Sequence, residues 1–186
     1  MYSLTRLAII STLLLGSATA LLKPNITAVA AVDGHSTIQC WQLDNAFTSK
    51  NVLNRSSIYS ADLGGAANLS YTFIPPNYDQ GVHSAPYNQW VIFIKGIGLI
   101  TVPNDNTTAY VAPGETGIVF ASDTSDITVD GHRSQYLGVT ESIIMQIPAL
   151  DNKVPAHTVL HPGGCDTSEM SGLWELALGI SISSQT

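Results

Sequence analysis

The sequence predicts a mainly β, single-domain protein built as a sandwich or barrel. Its length of 186 residues is natural for one domain. With 45% apolar and only 11% charged residues, the chain is too apolar for intrinsic disorder. From Ile38 to Ile147, short β-prone runs alternate with Gly, Pro and Asn turns. A parallel sheet would need helical crossovers between its strands, which this region lacks.

Residues 1–20 are predicted to be a secretory signal peptide. Arg6 supplies the charged start, Leu7 to Leu15 the apolar stretch, and Ala18-Thr19-Ala20 a small-residue cleavage site. The apolar stretch is shorter than the roughly 20 residues of a membrane-spanning helix, which argues against the alternative of a membrane anchor. We therefore expect residues 21–186 to form a secreted domain without a membrane span.

Nine strands and two helices are expected along this domain. The helices are Ala46–Asn54 and Ser168–Leu178, the second with an apolar stripe at helical spacing and Asp166 or Thr167 as its cap. The expected strands are Ile38–Leu43, Ile58–Asp62, Leu69–Ile74, Gln89–Lys95, Leu99–Val102, Ala109–Val111, Gly117–Ala121, Ile127–Val129 and Ser142–Ile147.

Secretion gives two features of the sequence a meaning: its two cysteines and its glycosylation sequons. Cys40 and Cys165 are the only cysteines, and an even number in an oxidising compartment predicts a disulfide. A zinc site is the weaker alternative, because neither cysteine has a close-spaced Cys or His partner. Four sequons predict N-glycosylation, at Asn25, Asn54, Asn68 and Asn106. Asn25 and Asn106 are the residues most expected to be exposed and glycosylated.

The charge pattern argues against nucleic acid as a partner. The formal net charge is −7, with 7 basic against 14 acidic side chains. Phosphate contacts require clustered Lys and Arg, whereas the basic residues here are scattered singly. Polyanions and anionic membrane surfaces are disfavoured for the same reason.

One segment carries a resemblance to a known family. In Gly81-Val82-His83-Ser84-Ala85-Pro86-Tyr87-Asn88-Gln89, followed by an apolar strand ending at Gly96, the spacing resembles the first cupin motif, which has two His and one Glu as metal ligands and a closing Gly. His83 takes the first His position, Ala85 the second, and Gln89 the Glu position. In the second motif, laid on Gly117 through His132, the metal-binding His position falls on Thr128, and His132 takes the terminal Asn position.

This resemblance implies a small jelly-roll barrel, but not its metal chemistry. A transition metal needs at least three good ligands, and of the four ligand positions only His83 keeps its residue. We therefore expect no metal and no other cofactor. The interior of such a barrel is the usual place for an apolar ligand.

The candidate site residues lie around that interior. Strand alternation places Val91 and Phe93 on the same inward face as Gln89, with Trp90 on the opposite face. His83, Gln89 and His132 are the candidate catalytic groups. The candidate substrate-binding residues are Tyr87, Val91, Phe93, Thr128, Arg133 and Tyr136. Each also has a structural interpretation, such as a hydrogen-bonded core His, a paired buried Gln or a surface Arg.

Further stretches resemble small secreted fungal cupin-like proteins: Tyr71 to Pro76, Gly81 to Pro86, Val111 to Glu115, and Gly131 to Arg133. Some of these are similar to cofactor-free hetero-Diels–Alderases that join a tropolone quinone methide to humulene-type sesquiterpenes. The resemblance implies a pericyclase acting on an apolar, carbonyl-bearing substrate. Two alternatives stay open: a non-catalytic secreted binding protein for a hydrophobic ligand, and a metal-dependent cupin dioxygenase. A homodimer through the β-sheet is a further candidate assembly.

Overall fold

The computed structural model describes residues 22–50 and 58–170, which form thirteen strands. Three short 3-10 turns accompany them, at Glu115–Gly117, Leu150–Asn152 and Thr167–Glu169. The strands are β1 Asn25–Val32, β2 His35–Leu43, β3 Thr48–Lys50, β4 Ile58–Ser60, β5 Ser70–Ile74, β6 Tyr78–His83, β7 Gln89–Lys95, β8 Ile97–Thr101, β9 Thr108–Val111, β10 Ile118–Ala121, β11 His132–Leu137, β12 Ser142–Pro148 and β13 His157–Pro162.

Two sheets carry the fold. The large sheet has the order β13-β2-β1-β10-β7-β12-β5, the small sheet has the order β6-β11-β8-β9, and β3 and β4 form a separate hairpin. Strands β1 and β10 pair in parallel, and the other named pairs are antiparallel. The predicted mainly β, single-domain class is confirmed, whereas closure of the strands into a barrel is not seen in the described ranges. Within the described ranges no pair of named strands joins the two sheets, so they face one another as a sandwich.

The main core fills the space between the sheets. The large sheet contributes Val29, Phe93 and Val119, and the small sheet contributes Ile100 and Tyr136. A second apolar cluster covers the outer face of the large sheet, around Trp41, Trp90 and Phe120. Because the large sheet is covered on both faces, its central strands are apolar on both sides.

Two predicted elements are wrong. Residues 127–129 form a turn instead of a strand, because the backbone N–H groups of Ile127 and Thr128 both donate to the Thr124 carbonyl. The predicted helix Ala46–Asn54 is contradicted at residues 48–50, which form β3, while residues 51–57 lie outside the described residues. The predicted signal peptide, the Asn54 sequon and most of the helix Ser168–Leu178 also lie outside them.

The predicted disulfide is confirmed. Cys40 of β2 is bonded to Cys165, which follows β13, with their Cα atoms 4.6 Å apart. Nearby, the His161 side chain forms an ion pair with Glu169, and hydrogen bonds to the Pro162 carbonyl and to that carboxylate raise the pKa of His161. None of the helical turns in residues 22–50 and 58–170 has the length needed to cross a bilayer.

Candidate functional site

A cavity of about 120 Å³ lies between the two sheets. Strand β7 contributes Gln89, Val91 and Phe93 to its wall, which confirms the predicted alternation, since Trp90 packs in the outer cluster. Strand β11 contributes His132 and Tyr136 from the facing sheet. The other lining residues are mostly apolar or carry amides, among them Val29, Val119, Ile100, Ile144, Gln80, Gln135 and Gln146.

The register of the small sheet brings two histidines together. His132 at the start of β11 pairs directly with His83 at the end of β6, and their ring centroids are 4.5 Å apart. Gly131, with a φ of 70°, permits this approach, because a Cβ there would lie 2.5 Å from the His83 carbonyl oxygen. Two imidazoles therefore face the same end of the cavity.

The orientation of His132 is set by a buried carboxylate. Its Nδ1 lies 2.7 Å from Oδ2 of Asp123, which is fully buried and also accepts a 2.8 Å hydrogen bond from the Ser36 hydroxyl. A proton on Nδ1 satisfies this carboxylate, and the tautomer then leaves the Nε2 lone pair of His132 available to a ligand.

His83 is held in the same tautomer by a different acceptor. Its Nδ1 lies 3.0 Å from the Gly81 carbonyl oxygen, which can only accept a hydrogen bond. Burial lowers the pKa of His83 below its usual value, and the neighbouring His132 lowers it further. A neutral imidazole with an accepting Nε2 is the result.

Gln89 presents a buried amide to the cavity. Gln89 is 5% exposed, and the described side-chain hydrogen bonds include none to its amide, whose atoms reach the open space of the cavity. A ligand inside the cavity can therefore form hydrogen bonds with this amide. Tyr136 adds a phenol that stays neutral, because burial raises its pKa to about 12.

The donor set does not fit a transition-metal centre. Two imidazole nitrogens and the Gln89 amide oxygen line the cavity, but Ala85 has no ligand atom and the Asp123 carboxylate lies behind His132 on its Nδ1 side. Within residues 22–50 and 58–170, a close group of three potential metal-binding side chains is found at Cys40, His161 and Glu169, where the Cys40 sulfur is bonded in the disulfide.

Three predicted substrate-binding residues lie outside the cavity lining. Tyr87 is 56% exposed, and Arg133 is exposed and paired with Asp79, whose pKa its hydrogen bonds lower to about 2. Thr128 is buried behind Asp123 and contacts Ser36 and Asp130. Ligand contact in this cavity is not expected of these three side chains.

The residues that support His132 were not predicted from the sequence. Neither Asp123 nor Ser36 had an assigned role. The available signal was a carboxylate two residues after the apolar strand Ile118–Ala121, where an unpaired charge would be costly. Its hydroxyl partner is 87 residues away, which spacing alone cannot reveal.

The sequence matches no family model and no curated protein. Two solved structures of the capsular polysaccharide assembling protein CapF from Staphylococcus aureus are similar to the chain at 18% and 20% identity, with TM-scores of 0.32 and 0.34. Each match covers 62% of this chain but only 34% and 32% of the CapF chains, respectively. This chain thus spans about a third of those chains, and likeness at this level carries no conclusion about activity.

Proposed function

We propose that this protein binds one small, largely apolar molecule that carries a carbonyl oxygen, in the cavity between its sheets. The observation that carries the proposal is the Gln89 amide, which faces the cavity from a residue that is 5% exposed and has no hydrogen-bonding partner among the described side chains. Its N–H groups match a carbonyl acceptor. The apolar wall from Val91, Phe93 and Ile144 matches a hydrocarbon body.

The cavity size limits the ligand to about one ring. A protein cavity of roughly 150 Å³ lined by apolar residues holds benzene, and the cavity here measures about 120 Å³. The accepting Nε2 atoms of His83 and His132 would favour a hydroxyl near the carbonyl. The ligand class is therefore a single-ring compound with a carbonyl, and with a hydroxyl as a second anchor.

The cofactor-free cycloaddition implied by the family resemblance stays a prediction. It needs both reactants in near-attack geometry, and a tropolonic ring with a sesquiterpene requires more room than the cavity offers unless the sheets open. Non-catalytic binding uses the same cavity without that demand. The metal-dependent dioxygenase is disfavoured, because Ala85 and Thr128 supply no ligands at the positions where a cupin has histidines.

The binding proposal is tested with two probes of nearly equal shape. Acetophenone carries a carbonyl where α-methylstyrene carries a methylene group, and both are titrated into ¹⁵N-labelled protein while amide chemical shifts are recorded. We expect acetophenone to bind more tightly, and Gln89→Leu to remove the difference. Gln42→Leu is the matched control, because Gln42 lies outside the cavity and bonds to Asn25. Equal binding of both probes, or no shift near the cavity, would overturn the proposal.

We also propose that the protein is secreted and glycosylated, which the disulfide supports. Asn68 and Asn106 are exposed, but the expected exposure of Asn25 is not met. The Asn25 side-chain nitrogen donates to the Glu169 carbonyl, so a glycan there would break this bond. Glycosidase treatment should reduce the mass, and Asn68→Gln and Asn106→Gln together should remove most of that change. An unchanged mass would contradict glycosylation.

A second copy of the chain is the partner proposed for the edge strand β5. Tyr71 and Phe73 on this strand are 66% and 63% exposed, and residues 63–78 contain no charged side chain. Edge strands are normally protected by charges, so an uncharged aromatic edge favours pairing between copies. Sedimentation should show a dimer that Phe73→Lys dissociates. A monomer at all concentrations would refute the dimer.

A further inference from the structure

A chain of hydrogen-bonding groups runs behind the cavity. It joins the carboxylates of Asp123 and Asp130 through the hydroxyls of Ser36 and Thr128. The three oxygen–oxygen distances are 2.8 Å from Asp123 to Ser36, 3.0 Å from Ser36 to Thr128, and 2.8 Å from Thr128 to Asp130. All are within hydrogen-bonding range, so the four side chains form one continuous path.

The two ends of this path lie in different environments. At the inner end, Asp123 contacts His132, whose side chain is 8% exposed and lines the cavity. At the outer end, Asp130 accepts a 3.0 Å hydrogen bond from Nδ1 of His35, whose side chain is 53% exposed. The path therefore connects the candidate site to solvent through the protein wall.

The path contains fewer protons than contacts. Two hydroxyls supply two protons, but three oxygen–oxygen contacts need three when both carboxylates are ionised. Asp130 is ionised, because hydrogen bonds from the Ser36 backbone N–H and from His35 hold its pKa well below the ordinary range. The Asp123 Oδ1 atom also lacks a partner among the described residues. One additional proton, entering from His132, would give each of the three contacts its own proton. The path can therefore accept a proton at one end and release one at the other.

We propose that this path carries protons between His132 and solvent, and that the cavity performs acid–base chemistry on its ligand. The second part rests on the proposed binding function. When Nε2 of His132 takes a proton from the ligand, its Nδ1 proton moves to Asp123. The Ser36 hydroxyl turns from Asp123 toward Thr128, and the Ser36, Thr128 and Asp130 oxygens then each receive one proton and release one. His35, whose Nδ1 proton has first exchanged through solvent for one on Nε2, takes the Asp130 proton on Nδ1 and releases its Nε2 proton to water. No electrons are transferred, and the reverse sequence restores the first tautomer.

The charged and titratable groups around the path are compatible with proton transfer from His132 toward solvent. His132 faces Asp123 on its own side of the cavity and His83 on β6, and the pKa of His83 is lowered by burial. Asp130 faces His35 and the Asn104 amide. Arg133, next to His132 in sequence, is bound to Asp79 and stays away from the path.

The transfer path is tested without any ligand, by measuring exchange of the His132 Nδ1 proton with water in ¹⁵N-histidine-labelled protein. Thr128→Val removes the central hydroxyl while both carboxylates stay. We expect exchange to slow by about tenfold or more, equal to a barrier increase of roughly 1.4 kcal/mol. Thr128→Ser, which keeps the hydroxyl, should restore the rate. Thr27→Val is the matched control, because it removes another buried threonine hydroxyl, one that bonds to the Cys165 N–H.

Asp130→Asn gives an independent test at the outer end, since an amide cannot accept and release the proton in the same way. It should also slow exchange. An unchanged rate in Thr128→Val and Asp130→Asn, or equal slowing by Thr27→Val, would overturn the path. Because the readout uses ligand-free protein, failure of probe binding with slowed exchange would refute the binding function and leave the path intact.

Discussion

Removal of the Asp123 carboxylate tests how the candidate site is built. In Asp123→Ala, the His132 Nδ1–H and the Ser36 hydroxyl both lose their acceptor, at 2.7 Å and 2.8 Å in the native protein. Each orphaned buried donor costs about 1–3 kcal/mol. The substitution also removes a buried carboxylate whose Oδ1 has no partner among the described residues. This removal offsets part of the loss of unfolding free energy.

The net expectation is a loss of about 2–4 kcal/mol of unfolding free energy. For a chain of this size, that loss corresponds to a fall in Tm of roughly 5–15 °C. Calorimetry of the purified variant provides the measurement, and Asp126→Ala is the control, because Asp126 is an exposed carboxylate three residues further along. ¹⁵N spectra of His132 should also show a shift away from the Nδ1–H tautomer. A Tm within about 2 °C of the native value, with the tautomer unchanged, would refute the proposed support of His132 by Asp123.

Three other predictions concern the fold and the metal. Replacing Cys40 and Cys165 by Ala should cost about 4–5 kcal/mol in urea unfolding, because the bond closes a loop across 125 residues; an unchanged midpoint would contradict this. The pKa of Asp130 is lower in the folded protein than in the unfolded chain, so its ionised carboxylate stabilises the fold at pH values above about 3.9. This stabilisation is lost as the pH falls from there toward the lowered pKa. Asp130→Asn should therefore flatten the acid-unfolding curve, and an equally steep curve would count against it. Chelators should leave Tm unchanged, whereas Ala85→His should gain Ni²⁺ binding in calorimetric titration; stoichiometric metal in the native protein would reverse that reasoning.

Several strands of the large sheet were predictable from their apolar side chains, although the apolar strand β1, Asn25–Val32, was missed. Gln89–Lys95 has the predicted bounds, because a nearly continuous apolar run is typical of a strand covered on both faces. Strands β6 and β11 were missed, since their sequences, YDQGVH and HRSQYL, are largely polar. They form because they pair with one another, and the Asp79–Arg133 ion pair joins them across the sheet. Such pairing depends on long-range register that local patterns do not contain.

The site was predictable only where it depends on local strand patterns. His83 and Gln89 lie at motif positions next to a clear strand, and the alternation rule identified Val91 and Phe93 correctly as cavity residues. Thr128 was assigned to ligand binding by motif register, but a turn points it at Ser36 and Asp130 instead. The role of Asp123 depends on which distant groups satisfy a buried charge, and that is determined by the tertiary fold.

The parallel pairing of β1 with β10 also determines the order in which the chain can fold. During synthesis β1 and β2 emerge early and pair as a hairpin, but the other edge of β1 stays open until residues 118–121 of β10 are available. The far edge of β2 waits longer still, for β13. Contacts this distant in sequence make folding slow and leave strand edges exposed to aggregation. The disulfide of Cys40 must also wait for the end of the domain, because its partner Cys165 follows β13 in the chain.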